Sequence, residues 1–112
     1  MTDLKKVQQD SYYIQYIKDP SLEVQLEAVR EYGLAIHYIK DPSLEVRLRV
    51  VNQDGNNIKH IKNPSLGVQL EAVRKNKGAI KYIPQENHWL FNKKYKNLTL
   101  KEIRQEVPEM FL

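Results

Sequence analysis

The chain has 112 residues, 41% of them hydrophobic and 29% charged, with no cysteine and a net charge of +4. That length holds one domain with a modest core, the composition argues against a disordered chain, and the lack of cysteine excludes disulfides and cysteine-ligated zinc. No apolar run approaches the ~18 residues of a membrane span, and the first residues, MTDLKKVQQD, contain no signal-peptide core. A cytoplasmic protein with no membrane partner is expected.

Taken in chain order, the sequence is an array. Ile17, Ile39, Ile61 and Ile83 mark a period of 22, and Pro20, Pro42 and Pro64 follow three of them. Residues 17–38 match residues 61–82 at 15 of 22 positions and residues 39–60 at 12. Residues 1–16 fit the same frame as a partial copy, with Leu4, Val7, Ile14 and Tyr16 where Leu26, Val29, Ile36 and Tyr38 stand one period later. Residues 1–83 are therefore expected to hold tandem helical units (a partial one over 1–16, then 17–38, 39–60 and 61–82), with a separate segment over 84–112.

Each unit has a start signal. Asp19, Asp41 and Asn63 precede a proline, which reads as an N-cap followed by proline in the first helical position. A helix then spans SLEVQLEAVRE. Its Leu22, Leu26 and Val29 form one apolar stripe and Val24 and Ala28 a second, so neighbours on two sides are implied. Gly33 and Gly55 are placed at left-handed helix ends. Lys77 stands at the third such position with Gly78 after it, which suggests a turn shifted by one residue. The segments LAIHYI, NNIKHI and GAIKYI follow. Isoleucines three apart favour a short helix over the strand that isoleucine and tyrosine would also suit.

After Ile83 the repeat stops at Pro84. Thr99 to Glu102 reads T-x-x-E, a capping box, and a helix through about Val107 is expected to follow, with Leu100, Ile103 and Val107 on one side and Pro108 at its end. This segment would close the open end of the array. Trp89, Phe91, Met110 and Phe111 are the side chains that would instead meet a partner or a second copy.

The stretch IKDPSLEVQLEAVREYGLAIHYIKDPSLEV resembles a family of short tandem helical repeats found in bacterial and phage proteins, with the pattern I-K-x-P-S-x-E-V-Q-L-x-A-V-x-x-x-G-x-A-I-x-Y. Its DPSLEVRLRVV stretch is also similar to the first helix of HEAT-type repeats. The resemblance covers residues 1–83. It implies an all-α fold, a small right-handed α-solenoid of about three and a half two-helix units, in a phage or mobile-element setting, and it transfers no catalytic residue. The unit over 39–60 departs from the pattern at Asn57, where the others have alanine.

No catalytic constellation is present: no H-E-x-x-H, no phosphate-binding glycine loop and no cofactor signature. His60 stands where Tyr16, Tyr38 and Tyr82 stand and reads as a packing residue. His37 stands where Lys59 and Lys81 stand and is expected to face water. Glu45 with Arg49, and Glu71 with Lys75, are helical i,i+4 pairs.

Charge is more informative. The net formal charge is −2 over residues 17–38, +1 over 39–60 and +4 over 61–82. Arg74, Lys75, Lys77 and Lys81 gather at the basic end, and Lys93, Lys94 and Lys96 follow. Two registers form ladders, Lys18, Lys40 and Lys62 in one, His37, Lys59 and Lys81 in the other. These lysines and Arg74, with Trp89 and Phe91, are the candidate partner-binding residues. The expected function is stoichiometric binding of a protein or nucleoprotein, by analogy an anti-CRISPR-like inhibitor in the host cytoplasm, with no cofactor. Binding of nucleic acid through the basic half, with Tyr12, Tyr13, Tyr32, Tyr95 and Trp89 stacking on bases, is one alternative. Self-assembly through the N-terminal partial unit or the apolar C-terminus is another.

Overall fold

Serine, not aspartate or asparagine, starts each long helix. In the computed structural model, which describes residues 2–91 and 97–106, Ser21, Ser43 and Ser65 are the N-caps of α2 (Leu22–Glu31), α3 (Leu44–Gln53) and α4 (Leu66–Lys75). Each hydroxyl accepts from the amide three residues on, at Val24, Val46 and Val68, over 3.2, 3.4 and 3.3 Å. A Ser cap satisfies one of the unpaired N–H groups that every helix start exposes. The expected caps Asp19, Asp41 and Asn63 thus lie two residues before the observed ones. Asp19 and Asn63 adopt a left-handed φ of 50°, which these residue types tolerate better than most, and the chain turns there before the cap.

Thr2 caps the shorter α1 (Asp3–Gln9) in the same way. Each long helix is followed by a six-residue 3-10 helix: η1 (Ser11–Tyr16), η2 (Gly33–Tyr38), η3 (Gly55–His60) and η4 (Lys77–Tyr82). Short helices rather than strands occupy these segments, and they keep one register. η4 begins at Lys77, so the expected one-residue shift does not occur. Three of the four share a cap. The carboxylate or amide oxygen of Asp10, Asp54 or Asn76 accepts from the amide two residues on at 2.9–3.0 Å. Tyr32 holds the fourth position without such a bond.

The glycines do not serve left-handed turns, since none has positive φ. Gly55 serves close approach. A Cβ built there would lie 2.0 Å from the carbonyl oxygen of Ala72 in α4. At Gly33 the corresponding atom would meet only the end of the Gln53 side chain, at 2.7 Å.

Packing follows the period. α1 lies against α2, α2 against α3 and α3 against α4, while η1, η2, η3 and η4 are likewise neighbours in turn. The α helices form one row and the 3-10 helices another, and the core runs between them. Val7, Val29 and Val51 are fully buried in one register, and Ile14, Ile36 and Ile58 are nearly so in another. Of the two expected stripes, Val24 with Ala28 is buried throughout and the other is buried only at Val29. Leu22 and Leu44 are 38% and 54% exposed, and Leu26 and Leu48 only flank the core. The row has an elongated outline, 50 × 26 × 20 Å.

Glutamines tie unit to unit. Gln25 donates to the Pro20 carbonyl at 2.9 Å and accepts from the Ser43 amide of the next unit at 3.3 Å. Gln69 repeats this with Pro64 at 3.0 Å, but its acceptor is used by Asn87 at 3.1 Å. Asn87 belongs to η5 (Gln85–Phe91), so the C-terminal segment takes the place of a next unit there. η5 and α5 (Leu100–Glu106) build a second small core of Leu70, Leu90 and Ile103, with Trp89 and Phe91 against it. The capping box forms: Thr99 and Glu102 exchange two backbone-to-side-chain bonds, both 3.2 Å. Val107, Pro108, Met110 and Phe111 lie outside the described residues. Asn57 does not loosen its unit. Its amide donates to the Val50 carbonyl at 3.0 Å.

Candidate partner-binding surface

The 3-10 row presents aromatic and cationic side chains to solvent. Tyr12, Tyr32 and Tyr38 are each about two-fifths exposed and are packed on one another. The Tyr12 ring meets Tyr32 and Tyr38 edge-on, with centroids 5.5 and 4.9 Å apart. A hydrogen bond with Tyr32, then burial, then the neighbouring Tyr38 and Asp10 push the Tyr12 phenol up to about 12, so it stays neutral. Such pairs hold rings in fixed orientations.

Further along the row, His37 and His60 face each other. His37 Nε2 and His60 Nδ1 are 2.9 Å apart and the rings cross at 82°. His37 is exposed, as expected, yet it is also paired. One proton bridges the two nitrogens only while at least one ring is neutral. Burial, then His37, then Lys59 lower the His60 pKa below its ordinary 6.5. One junction on, Lys59 stands 5.8 Å and Lys81 5.2 Å from the centre of the Tyr82 ring, within cation–π range. Both cross-unit contacts, His37 to His60 and Lys59 to Tyr82, span 23 residues. A residue of one unit therefore meets the register one further along in the next.

The predicted site residues separate into groups. Lys59 and Lys81 join the row just described. Lys18, Lys40 and Lys62 are exposed in the turns after the 3-10 helices. Arg74, Lys77 and Phe91 come together around a cavity of 720 Å³ at the end of the row, floored by Leu70, Val73, Ile80 and Leu90. Arg74 also donates to the Leu98 carbonyl. Lys75 is exposed on the last turn of α4, apart from that cavity. Trp89 packs into the small C-terminal core. Lys93, Lys94 and Lys96 lie outside the described residues, as does Tyr95. Of the expected helical pairs, Glu71 instead accepts from Asn52 across a unit junction, at 2.8 Å.

The Tyr12–Tyr32–Tyr38 cluster was not anticipated as a unit, because the three rings come from three different registers. The signal available was Tyr32 itself, an aromatic where the other units have Asp or Asn.

No protein family, curated protein or solved structure matches the chain. Function is therefore argued from the surface. Among the described residues no three His, Asp or Glu side chains gather as a metal site, and no helix is long and apolar enough to cross a membrane.

Proposed function

We propose that the protein is a non-catalytic binding module, an α-solenoid of about three and a half two-helix units that docks an acidic protein surface on its 3-10 face. The observation that carries this reading is the exposed row from Tyr12 through Tyr38, His37 and His60 to Lys59, Tyr82 and Lys81, in which neighbouring side chains hold one another in place. Tyrosines fixed before binding lose little entropy on docking, and aromatic side chains are favoured at interfaces. A cationic rim adds steering toward an acidic partner. Nucleic-acid bases would need free ring faces to stack on. Here the rings of Tyr12, Tyr32 and Tyr38 meet edge to face and Tyr82 is flanked by two ammonium groups, which favours a protein.

The repeat resemblance supplies a narrower reading: a phage or mobile-element protein that covers a functional surface of a host defence complex, as anti-CRISPR inhibitors do. The test is affinity capture from a nuclease-treated bacterial lysate. One complex should be retained by the native chain, lost with Lys59→Glu plus Lys81→Glu, and kept by Glu45→Lys on the α-helical row. Recovery that survives the double reversal overturns the reading. Capture that requires nucleic acid and falls steeply with salt on a log–log plot moves the function to nucleic-acid binding.

A further inference from the structure

Among the described residues, the last repeat unit is less fully covered than every earlier unit at the surface that packs against a following unit. Val29 and Val51 are fully buried and Ile36 and Ile58 nearly so, all at junctions with a following unit. Their counterparts in the last unit, Val73 and Ile80, are only half-buried. η5 and α5 cover the adjoining Leu70 side, where Leu70 is 3% exposed, and Leu90 and Phe91 of η5 reach the edge of the surface formed by Val73 and Ile80 without burying it. What remains is the 720 Å³ cavity, with Val73, Ile80 and Phe91 in its wall and Arg74 and Lys77 among its lining.

At the internal junctions this surface is covered by a helix. α4 packs on both α3 and η3, over Val51 and Ile58. The same junction shows which charge belongs there. Asn52, the counterpart of Arg74, donates to Glu71 of the covering helix. At the first junction the counterpart is Gln8, and it too bonds to a carboxylate, that of Glu27 in α2. The junction of α2 and α3 differs: there the counterpart is Arg30, α3 carries Arg49 in the Glu71 register, and Arg30 pairs with Glu27 and Glu31 of its own helix. The last unit has Lys75 in place of Glu31, so Arg74, Lys75 and Lys77 concentrate positive charge that an acidic side chain of an incoming helix would balance. One of the five guanidinium N–H groups serves Leu98, which leaves donors for that carboxylate.

Two features argue against a second copy of this chain as the occupant. In the same register its α1 would bring Lys5, the counterpart of Glu71, against Arg74; the internal junction with two cations in these registers, Arg30 and Arg49, has Glu27 and Glu31 paired with Arg30. It would also bring Lys6, which donates to Tyr13 at 3.3 Å, where the internal units carry Ala28, Val50 and Ala72. Lys77 adds a further bar. It stands at the position of Gly55, where a Cβ would meet a closely packed helix backbone at 2.0 Å. A helix seated as closely as α4 sits on η3 is therefore excluded here, and the Lys77 ammonium stands beside the seat.

We propose that the groove between Val73, Ile80 and Phe91 is a seat for an acidic amphipathic helix of a partner protein, with Arg74 and Lys77 reading its carboxylates. The seat shares η4 with the 3-10 face but none of the Tyr, His and Lys side chains of its exposed row, so the two readings stand or fall separately. The probe is a fluorescent, side-chain-stapled 16-residue helix with leucines at i, i+3, i+4 and i+7 flanked by glutamates. Its control carries lysines in place of the glutamates. Anisotropy should show saturable binding of the acidic helix, and amide shifts should centre on Val73, Arg74 and Ile80. Arg74→Glu plus Lys77→Glu should weaken it at least tenfold and admit the lysine helix instead, while Lys59→Glu plus Lys81→Glu leaves it unchanged. Both reversals sit on exposed positions, and an unchanged circular dichroism melt verifies folding. Equal binding of the two helices, shifts mapping elsewhere, or a concentration-dependent dimer that Arg74→Glu dissociates would each overturn the proposal.

Discussion

Replacing Gly55 by alanine should be among the most damaging single-methyl changes available in this chain. The added Cβ would sit 2.0 Å from the Ala72 carbonyl oxygen and 3.0 Å from both the carbonyl carbon of Ala72 and Cβ of Asn76, whereas ordinary contact begins near 3.4 Å. The obstacle is helix backbone, so no side-chain rotation relieves it. α4 must withdraw by about 1.4 Å, and a gap approaching 1 Å already forfeits up to about half of the dispersion energy across an interface. Overpacking of this kind costs about 3 kcal/mol, and at ~4 °C per kcal/mol the melting temperature falls by roughly 12 °C. Gly33→Ala is the matched control, at the same place one unit earlier. There the methyl displaces only the Gln53 amide, which donates to the Val29 carbonyl at 2.8 Å. Losing that bond costs about 1 kcal/mol. The gain from a stiffer unfolded chain is about 0.4–1 kcal/mol, so the net change stays within ~0.5 kcal/mol. Denaturant midpoints read both. A Gly55→Ala loss below about 1 kcal/mol, or a Gly33→Ala loss as large as that of Gly55→Ala, would refute the packing described between η3 and α4.

Three further outcomes follow from other parts of the structure. Ser43→Ala should lose about 1 kcal/mol by removing the α3 cap, while Asp41→Ala, at the position the sequence pattern nominates, loses about 0.3 kcal/mol or less. Equal losses in denaturant melts would return the cap to Asp41. His60 resists protonation in the folded chain, through burial and then His37 and Lys59, with its pKa below the unfolded 6.5. Its contribution to stability is therefore full above that value and is lost as pH falls toward the folded pKa. The melting temperature of the native protein should drop more between pH 7 and 5 than that of His60→Tyr, which carries the residue found at Tyr16, Tyr38 and Tyr82; parallel curves would contradict this. Leu90→Ala empties the small C-terminal core and should cost about 3 kcal/mol. Its hydrogen exchange should rise first in η5, α5 and α4, with α2 still protected. Uniform loss of protection would contradict a locally held cap.

Much of the fold was legible because the chain repeats itself. A period of 22 places α2, α3 and α4 at their observed positions, and isoleucines three apart correctly favour short helices. Ends were less legible. Ser21, Ser43 and Ser65 each lie two residues after an equally good cap signal, and only the backbone turn at Asp19 and Asn63 decides between them. Gly55 carries no sequence mark to distinguish close approach from a left-handed turn. The surface was half legible. Lysine registers can be counted, but the 23-residue offset that sets His37 on His60 and Lys59 on Tyr82 is a consequence of how units lean on each other. Likewise, Arg74 and Lys77 are visible as charge, whereas the half-buried state of Val73 and Ile80 beside them becomes apparent only when each unit is compared with its buried counterparts.

The claim that the 3-10 face binds the partner is tested most directly by site-specific photocrosslinking. A crosslinking residue at Tyr38 or Tyr82 should join the chain to one and the same acidic protein in a nuclease-treated bacterial lysate, and one at Leu44, exposed on the α-helical row, should not. Adducts from Leu44 alone, or equally from all three positions, would contradict the account.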